Sequence, residues 1–241
     1  MRVLQDKVRI AIAVFMSMFN LDENDPELEI FRRDMEYPGS YYFSTWIDSA
    51  KPWLKVPIEI EDNFLDEVQS VFDKATKYRG VVDQGCKGWF SVCLHGIGLG
   101  KTLAARHYGF SSESDAPYHW ITEVESIAPR LTAYLKRIFD GAKLFRVRLM
   151  ILEPGGVIDW HSDWAYPAKL SVNISLTNPK DCNFELKSIG TVPFTDKSAF
   201  MIDLSNEHSV VNNSDQTRYH IIVQGLFGNC SNIRKAVEGR A

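Results

Sequence analysis

From residue 143 to about 228 the chain reads as short strands separated by turns, with no helical stretch between them. The expected strands are 144–152, 156–161, 169–177, 182–187, 191–194, 198–204, 207–212 and 217–224. Pro154-Gly155-Gly156, Asn178-Pro179-Lys180-Asp181 and Asn212-Asn213-Ser214-Asp215 carry turn chemistry between them. A run of strands this dense has few ways to satisfy its edges, and a jelly-roll or barrel is the predicted answer.

Residues 1–142 have a different texture, an α/β portion predicted to lay its helices over one sheet of the 143–228 core, with 229–241 as a tail of the same structural unit. Phe64, Leu65, Val68, Val71 and Phe72 recur at helical spacing within 61–78, and Arg79-Gly80 supplies a stop. A second helix is expected over 123–139, with Thr122 and Glu125 as a capping-box pair, Pro129 as a kink and Gly141 past its end. Trp89–Leu94 reads as a strand followed by a glycine-rich turn.

Hydrophobic residues make up 45% of the 241, enough to bury a core, and the formal net charge of −4 gives no basic footprint for nucleic acid. Cys86, Cys93, Cys182 and Cys230 form no C-x-x-C pair and are expected to be free thiols in a reducing compartment, which points to the cytoplasm. The apolar run Ile10–Phe19 follows Lys7 and Arg9 but meets no small-residue cleavage site. It is too short to span a bilayer, so a core element is expected there rather than a signal peptide.

Chemistry concentrates in Asp159-Trp160-His161-Ser162-Asp163. On a strand, residues i and i+2 face one side, so His161 and Asp163 are expected to project an imidazole and a carboxylate together. A His-x-Asp pair alone says little. His208, on a later strand, is the natural third ligand, and two histidines plus one carboxylate on one face leave coordination positions open, the pattern of non-haem Fe(II) oxygenases. Arg218 follows ten residues after His208 in an otherwise apolar strand, where a buried guanidinium calls for an anion. His220 shares its face by the period of two, and Arg148 lies on a strand from which it too can reach the site. Trp160, Trp164 and Tyr166 flank the motif as candidate pocket walls, and the loop 106–120, with His107 and His119, is a candidate cover.

The stretch 145–226 resembles the aspartyl/asparaginyl β-hydroxylase family of 2-oxoglutarate oxygenases, which includes hydroxylases of free proline. The matching text is Arg146-Val147-Arg148-Leu149-Met150-Ile151-Leu152-Glu153-Pro154-Gly155-Gly156, then His161-Ser162-Asp163, Leu170–Leu176, Phe200–His208 and Arg218–Val223. The resemblance implies a double-stranded β-helix, mainly β with flanking helices and cupin-like. It implies Fe(II) on His161, Asp163 and His208, with O2 and 2-oxoglutarate as cosubstrates and the distal carboxylate of 2-oxoglutarate on Arg218. Asn173 stands where some members use a histidine toward the cosubstrate. The implied reaction yields succinate and CO2 and hydroxylates an amino-acid side chain, and Asp163 argues against halogenation. A small molecule or peptide is the expected partner, with no nucleic acid and no membrane.

Two other readings were open. A catalytically silent cupin-like metal- or ligand-binding module fits the strands and histidines, but gives no reason for an internal anion clamp at Arg218. Gly96–Thr102 resembles a phosphate loop, yet His95 occupies the position where that loop requires glycine, and Lys101 occupies the third glycine of the dinucleotide fingerprint.

Overall fold

The computed structural model describes residues 13, 16, 23–24, 52–74, 76–77, 85–113, 115–163, 171–227 and 230–233. In chain order the strands are β1 (Trp53–Lys55), β2 (Thr76–Lys77), β3 (Lys87–Gly96), β4 (His119–Trp120), β5 (Lys143–His161), β6 (Ser171–Ser175), β7 (Cys182–Leu186), β8 (Gly190–Val192), β9 (Ser198–Ile202), β10 (His208–Asn212) and β11 (Arg218–Leu226). Helices α1 (Leu65–Phe72), α2 (Thr122–Ile127) and α3 (Pro129–Ile138) precede the dense strand region.

The strands pair antiparallel in the order β1-β9-β6-β11-β5-β10-β7-β8, and β3 joins β5 as well. The first half of β5 pairs with β11, from Lys143 opposite Leu226 to Leu152 opposite Arg218. Its second half leaves for β10, with Val157 opposite Val211 and His161 opposite His208. One strand therefore belongs to both walls of a jelly-roll. The expected turn at Pro154-Gly155-Gly156 is instead an excursion within this strand. Opposite it, β3 moves only from Trp89 to Lys87 while β5 moves from Leu152 to Val157. Gly155 has φ +67°, and a Cβ on Gly156 would lie 2.7 Å from the Glu153 carbonyl, so both glycines are required to make the fold-over. Asn212 secures it, donating from Nδ2 to the carbonyls of Leu152, Glu153 and Gln216.

Alternation along β5 splits the interior in two. Val147, Leu149 and Ile151 face a core shared with Val68, Val71, Leu131, Leu135, Val223 and Ile221, which is where the helices lie. Met150 and Leu152 face the other way, into the space between the two walls with Phe184, Phe200 and Val210. The helices thus cover one sheet, as expected. Met16 packs against the first core, but the rest of the apolar run 10–19 lies outside the described residues.

Both predicted helices are altered by tertiary demands. The helix expected over 61–78 is confined to α1, because Thr76 and Lys77 are taken as an edge strand opposite Ser91 and Phe90. Its expected stop at Arg79-Gly80 lies outside the described residues. The helix expected over 123–139 is two helices. Ala128 (φ −135°, ψ 59°) stands between them, since the residue before Pro129 is driven off helical geometry. Thr122 is inside α2 and caps nothing; the N-cap is Ile121. The cap of α3 comes instead from α1. Buried Glu67 accepts from the backbone N–H of Arg130 (3.2 Å) and Leu131 (2.9 Å), and from Arg130 Nε (2.8 Å). The four cysteines are in no disulfide, and no helix among the described residues is long and apolar enough to cross a membrane.

Candidate functional site

Between the two walls lies a cavity of about 90 Å³, lined in part by Arg148, His161, Asp163, Asn173, His208, Arg218 and His220. All seven residues expected to hold metal or cosubstrate line this one space, whereas Trp160, a candidate wall, does not.

A β-bulge brings His161 there. On β10 the step from Val210 to His208 spans two residues, whereas on β5 the step from Ile158 to His161 spans three. The extra residue turns Ile158 and His161 to the same side, and leaves Trp160 exposed at 42%. Strict alternation would have pointed His161 away from Ile158. The expected i, i+2 strand relation of His161 and Asp163 is not what the fold uses. Strand β5 ends at His161, and Asp163 follows in irregular chain, held by donation of its N–H to the Leu204 carbonyl at 3.0 Å.

The two imidazoles lie with ring centroids 4.2 Å apart. His161 Nδ1 is 2.7 Å from the Asp159 carbonyl and His208 Nδ1 is 2.9 Å from the Asn206 carbonyl. A carbonyl only accepts, so each Nδ1 carries the proton and each Nε2 keeps its lone pair, the tautomer that metal ligation needs. His208 also stacks on Phe184 at 5.4 Å. Burial lowers its basicity first, then the nearby His161, while Asp163 acts in the opposite sense. Among the described residues no three His, Cys, Asp or Glu side chains are placed as they stand to hold a metal ion together.

Arg218 begins β11 beside the fold-over of β5, at the far end of the same space. Its side chain is fully buried and no described carboxylate acts on it; burial lowers its pKa to about 10. Its Nε donates to Asn178 Oδ1 at 3.1 Å, its Nη2 to His220 Nδ1 at 2.8 Å, and Phe194 lies beneath it at 5.4 Å. Arg148 is also buried, donating from Nη1 to the Thr102 carbonyl at 3.2 Å, while its Nε has no partner. Asn173 donates from Nδ2 to Ser171 Oγ at 3.0 Å.

Asn178 and Phe194 were not legible as site residues. Asn178 lies in an expected turn, and its link to Arg218 spans forty positions with no local pattern to announce it. Trp89 also lines the cavity, from a strand that was read only as a strand. His107 and His119 are exposed and neither lines the cavity. Trp164 and Tyr166 lie outside the described residues. The 96–102 loop does not cradle an anion: its Thr102 carbonyl accepts from Arg146 and Arg148.

The family model described as aspartyl/asparaginyl beta-hydroxylase matches residues 57–226. The chain belongs to this family. The match of the β-hydroxylase model runs from just before α1 to the last residue of β11, so it takes in the helical cover as well as the strands. No curated protein matches the chain in sequence. Among solved structures, an oxidoreductase of the 2OG-Fe(II) oxygenase family from Burkholderia pseudomallei is 12% identical over 82% of this chain and 94% of that one, with a TM-score of 0.47. The non-heme alpha-ketoglutarate-dependent carbocyclase SnoK of nogalamycin biosynthesis is 12% identical over 76% and 82%, with a TM-score of 0.44. A cupin domain from Bordetella pertussis is 22% identical over 33% and 79%, with a TM-score of 0.28.

Proposed function

We propose that this β-hydroxylase family member is an Fe(II)- and 2-oxoglutarate-dependent dioxygenase that hydroxylates an amino-acid side chain, free or within a peptide or protein. The observation that carries the reading is Arg218. It is a fully buried cation without a described acid partner, at the base of a cavity that also presents two imidazole lone pairs. A buried guanidinium is costly unless an anion joins it, and a carboxylate matches its planar fork. The donor set fits both implied groups: neutral imidazoles and the Asp163 carboxylate for Fe(II), and the Arg218 fork for a dicarboxylate.

His161, Asp163 and His208 would hold the iron. When bound with 2-oxoglutarate, it supplies the O2 chemistry that converts the cosubstrate to succinate and CO2 and oxidises a substrate C–H bond. Arg218 fixes the distal carboxylate and so sets how far the cosubstrate enters. Asn173 and Arg148 add polar side chains to the lining of the same space. Phe184, Leu152, Ile158 and Val210 exclude water between these poles.

The test is anaerobic addition of Fe(II) and then 2-oxoglutarate, followed by visible absorption. A charge-transfer band at the red end supports the reading. Bound Fe(II) without the band removes 2-oxoglutarate from it. Succinate release with a panel of free amino acids and peptides then identifies the substrate.

A further inference from the structure

His220 lines the cavity beside Arg218, but its ring has no nitrogen left for a ligand. Nδ1 lies 2.8 Å from Arg218 Nη2, and Nε2 lies 3.3 Å from Asn173 Oδ1. A guanidinium has hydrogens and no acceptor, so Nδ1 of His220 must accept. The ring proton therefore resides on Nε2, and it is given to Asn173. That donation fixes the Asn173 amide with its oxygen toward His220 and its NH2 toward Ser171, where Nδ2 meets the Oγ at 3.0 Å and the carbonyl at 3.3 Å. The hydrogen bonds run in one direction, from Arg218 through His220 and Asn173 to Ser171. They cross from β11 to β6, two strands that are paired along this stretch.

We propose that His220 is a positioning residue: a neutral Nε2–H imidazole that locks the plane of the Arg218 guanidinium and the orientation of the Asn173 amide, without touching the cosubstrate itself. This rests on the reading of Arg218 as the carboxylate clamp. The geometry explains why an imidazole suits the position. A single ring accepts on one side and donates on the other, so it joins a group with only donors to an amide that must be oriented. With Nε held by Asn178 and one Nη2 hydrogen held by His220, the guanidinium cannot rotate about its terminal bonds. Its remaining hydrogens, on Nη1 and Nη2, have no partner among the described residues and stay available as a fork. Phe194 closes the arrangement, lying under the guanidinium and edge-on to the His220 ring at 5.1 Å. Burial, and then the adjacent Arg218 charge, push the His220 pKa well below its ordinary value, which keeps the ring in the neutral form the geometry requires.

The experiment compares His220→Asn, His220→Gln, His220→Phe and Arg218→Met with the parent protein. Asparagine keeps an acceptor near the Nδ1 position, glutamine keeps a donor near the Nε2 position, and phenylalanine keeps neither. Binding of 2-oxoglutarate is measured by calorimetry with Mn(II) in place of iron, and each variant is checked for its fold by circular dichroism. Expected dissociation constants are within threefold of the parent for His220→Asn and at least tenfold weaker for His220→Gln and His220→Phe. In turnover, KM for 2-oxoglutarate should rise with kcat nearly unchanged. Nitrogen-15 NMR of histidine-labelled protein without metal should show one resonance pair of an Nε2–H tautomer that is absent from His220→Phe. Parent-like affinity in folded His220→Phe, with Arg218→Met weakened, overturns the positioning role. So does an Nδ1–H tautomer. Parent-like affinity in Arg218→Met instead overturns the clamp reading, while the tautomer measurement still decides the hydrogen-bond direction.

Discussion

His161 and His208 are direct cross-strand partners on β5 and β10, with ring centroids 4.2 Å apart and each Nδ1 tied to a backbone carbonyl two residues earlier. Both rings are thereby oriented before any ligand arrives, which lowers the ordering cost of binding a metal. Fe(II) or Mn(II) at a hundred times its dissociation constant should stabilise the protein by about 2.7 kcal/mol, a rise in Tm of roughly 5–10 °C. His161→Ala and His208→Ala should abolish that rise under anaerobic thermal melts. Asp163→Ala should end succinate formation while keeping the fold. Full turnover in His161→Ala or Asp163→Ala would remove the ligand assignment.

Arg218 offers a second measurement. Loss of a paired, charge-assisted contact to a carboxylate costs about 2–3 kcal/mol, or roughly 30- to 150-fold in affinity. Arg218→Ala should raise the 2-oxoglutarate requirement by that factor. Arg218→Lys restores the charge without the fork, so it should recover only part of the loss. A requirement unchanged in Arg218→Ala would show that the cosubstrate is held elsewhere.

Much of this was legible in the sequence. The strands after residue 143 announce themselves because alternation and turn residues are local signals, and β6 to β11 fall close to their expected places. The convergence of His161, Asp163, His208 and Arg218 on one cavity was expected for a jelly-roll, although the i, i+2 strand relation from which it was argued for His161 and Asp163 is not how the fold achieves it. What was not legible depends on partners remote in sequence. The bulge before His161 is defined only by its register with β10. The Glu67 cap of α3 comes from α1, and the sequence offered Thr122 as a more obvious local choice. The bond from Arg218 to Asn178 joins a strand to a turn forty positions away.

Glu67 gives a stability prediction apart from the site. Its carboxylate satisfies two N–H groups at the start of α3 and one Arg130 nitrogen while itself buried. Glu67→Ala leaves those donors without an acceptor and should cost about 2–3 kcal/mol, lowering Tm by several degrees. Glu67→Gln keeps one acceptor and should lose less. If chemical denaturation shows the two variants equal to the parent, the cap is not contributing.

His95 predicts a pH effect on folding. It is buried between Tyr118 and Trp120, with Nδ1 donating to the Phe145 carbonyl at 3.0 Å. Burial lowers its pKa from 6.5 to about 4. Between these values the unfolded chain binds a proton that the folded chain refuses, so stability falls as pH falls from 6.5 to 4. His95 alone contributes a loss of up to about 3 kcal/mol across that window. Urea unfolding at several pH values should show a shallower decline in His95→Gln than in the parent. Identical declines would mean that His95 is protonated in the folded state.

The bulge yields the sharpest structural test. Asp159 and Trp160 together face the single residue Ser209, and this extra residue sets the side on which His161 emerges. Deleting Trp160 should restore regular alternation with His161 two residues after Ile158 and still on the cavity side, whereas deleting Asp159 and Trp160 together makes His161 the direct neighbour of Ile158 and should turn it out of the cavity, since a shift of one residue reverses a strand's faces. The strand pairing on either side is unaffected, and Trp160 is exposed, so little packing is lost. The single deletion should therefore fold, with its Tm within a few degrees of the parent, and keep the metal-induced rise in Tm, while the double deletion should show neither that rise nor succinate formation. Trp160→Ala keeps the residue count and should retain the metal response. If the double deletion binds metal as the parent does, the register of β5 is not what brings His161 to the cavity.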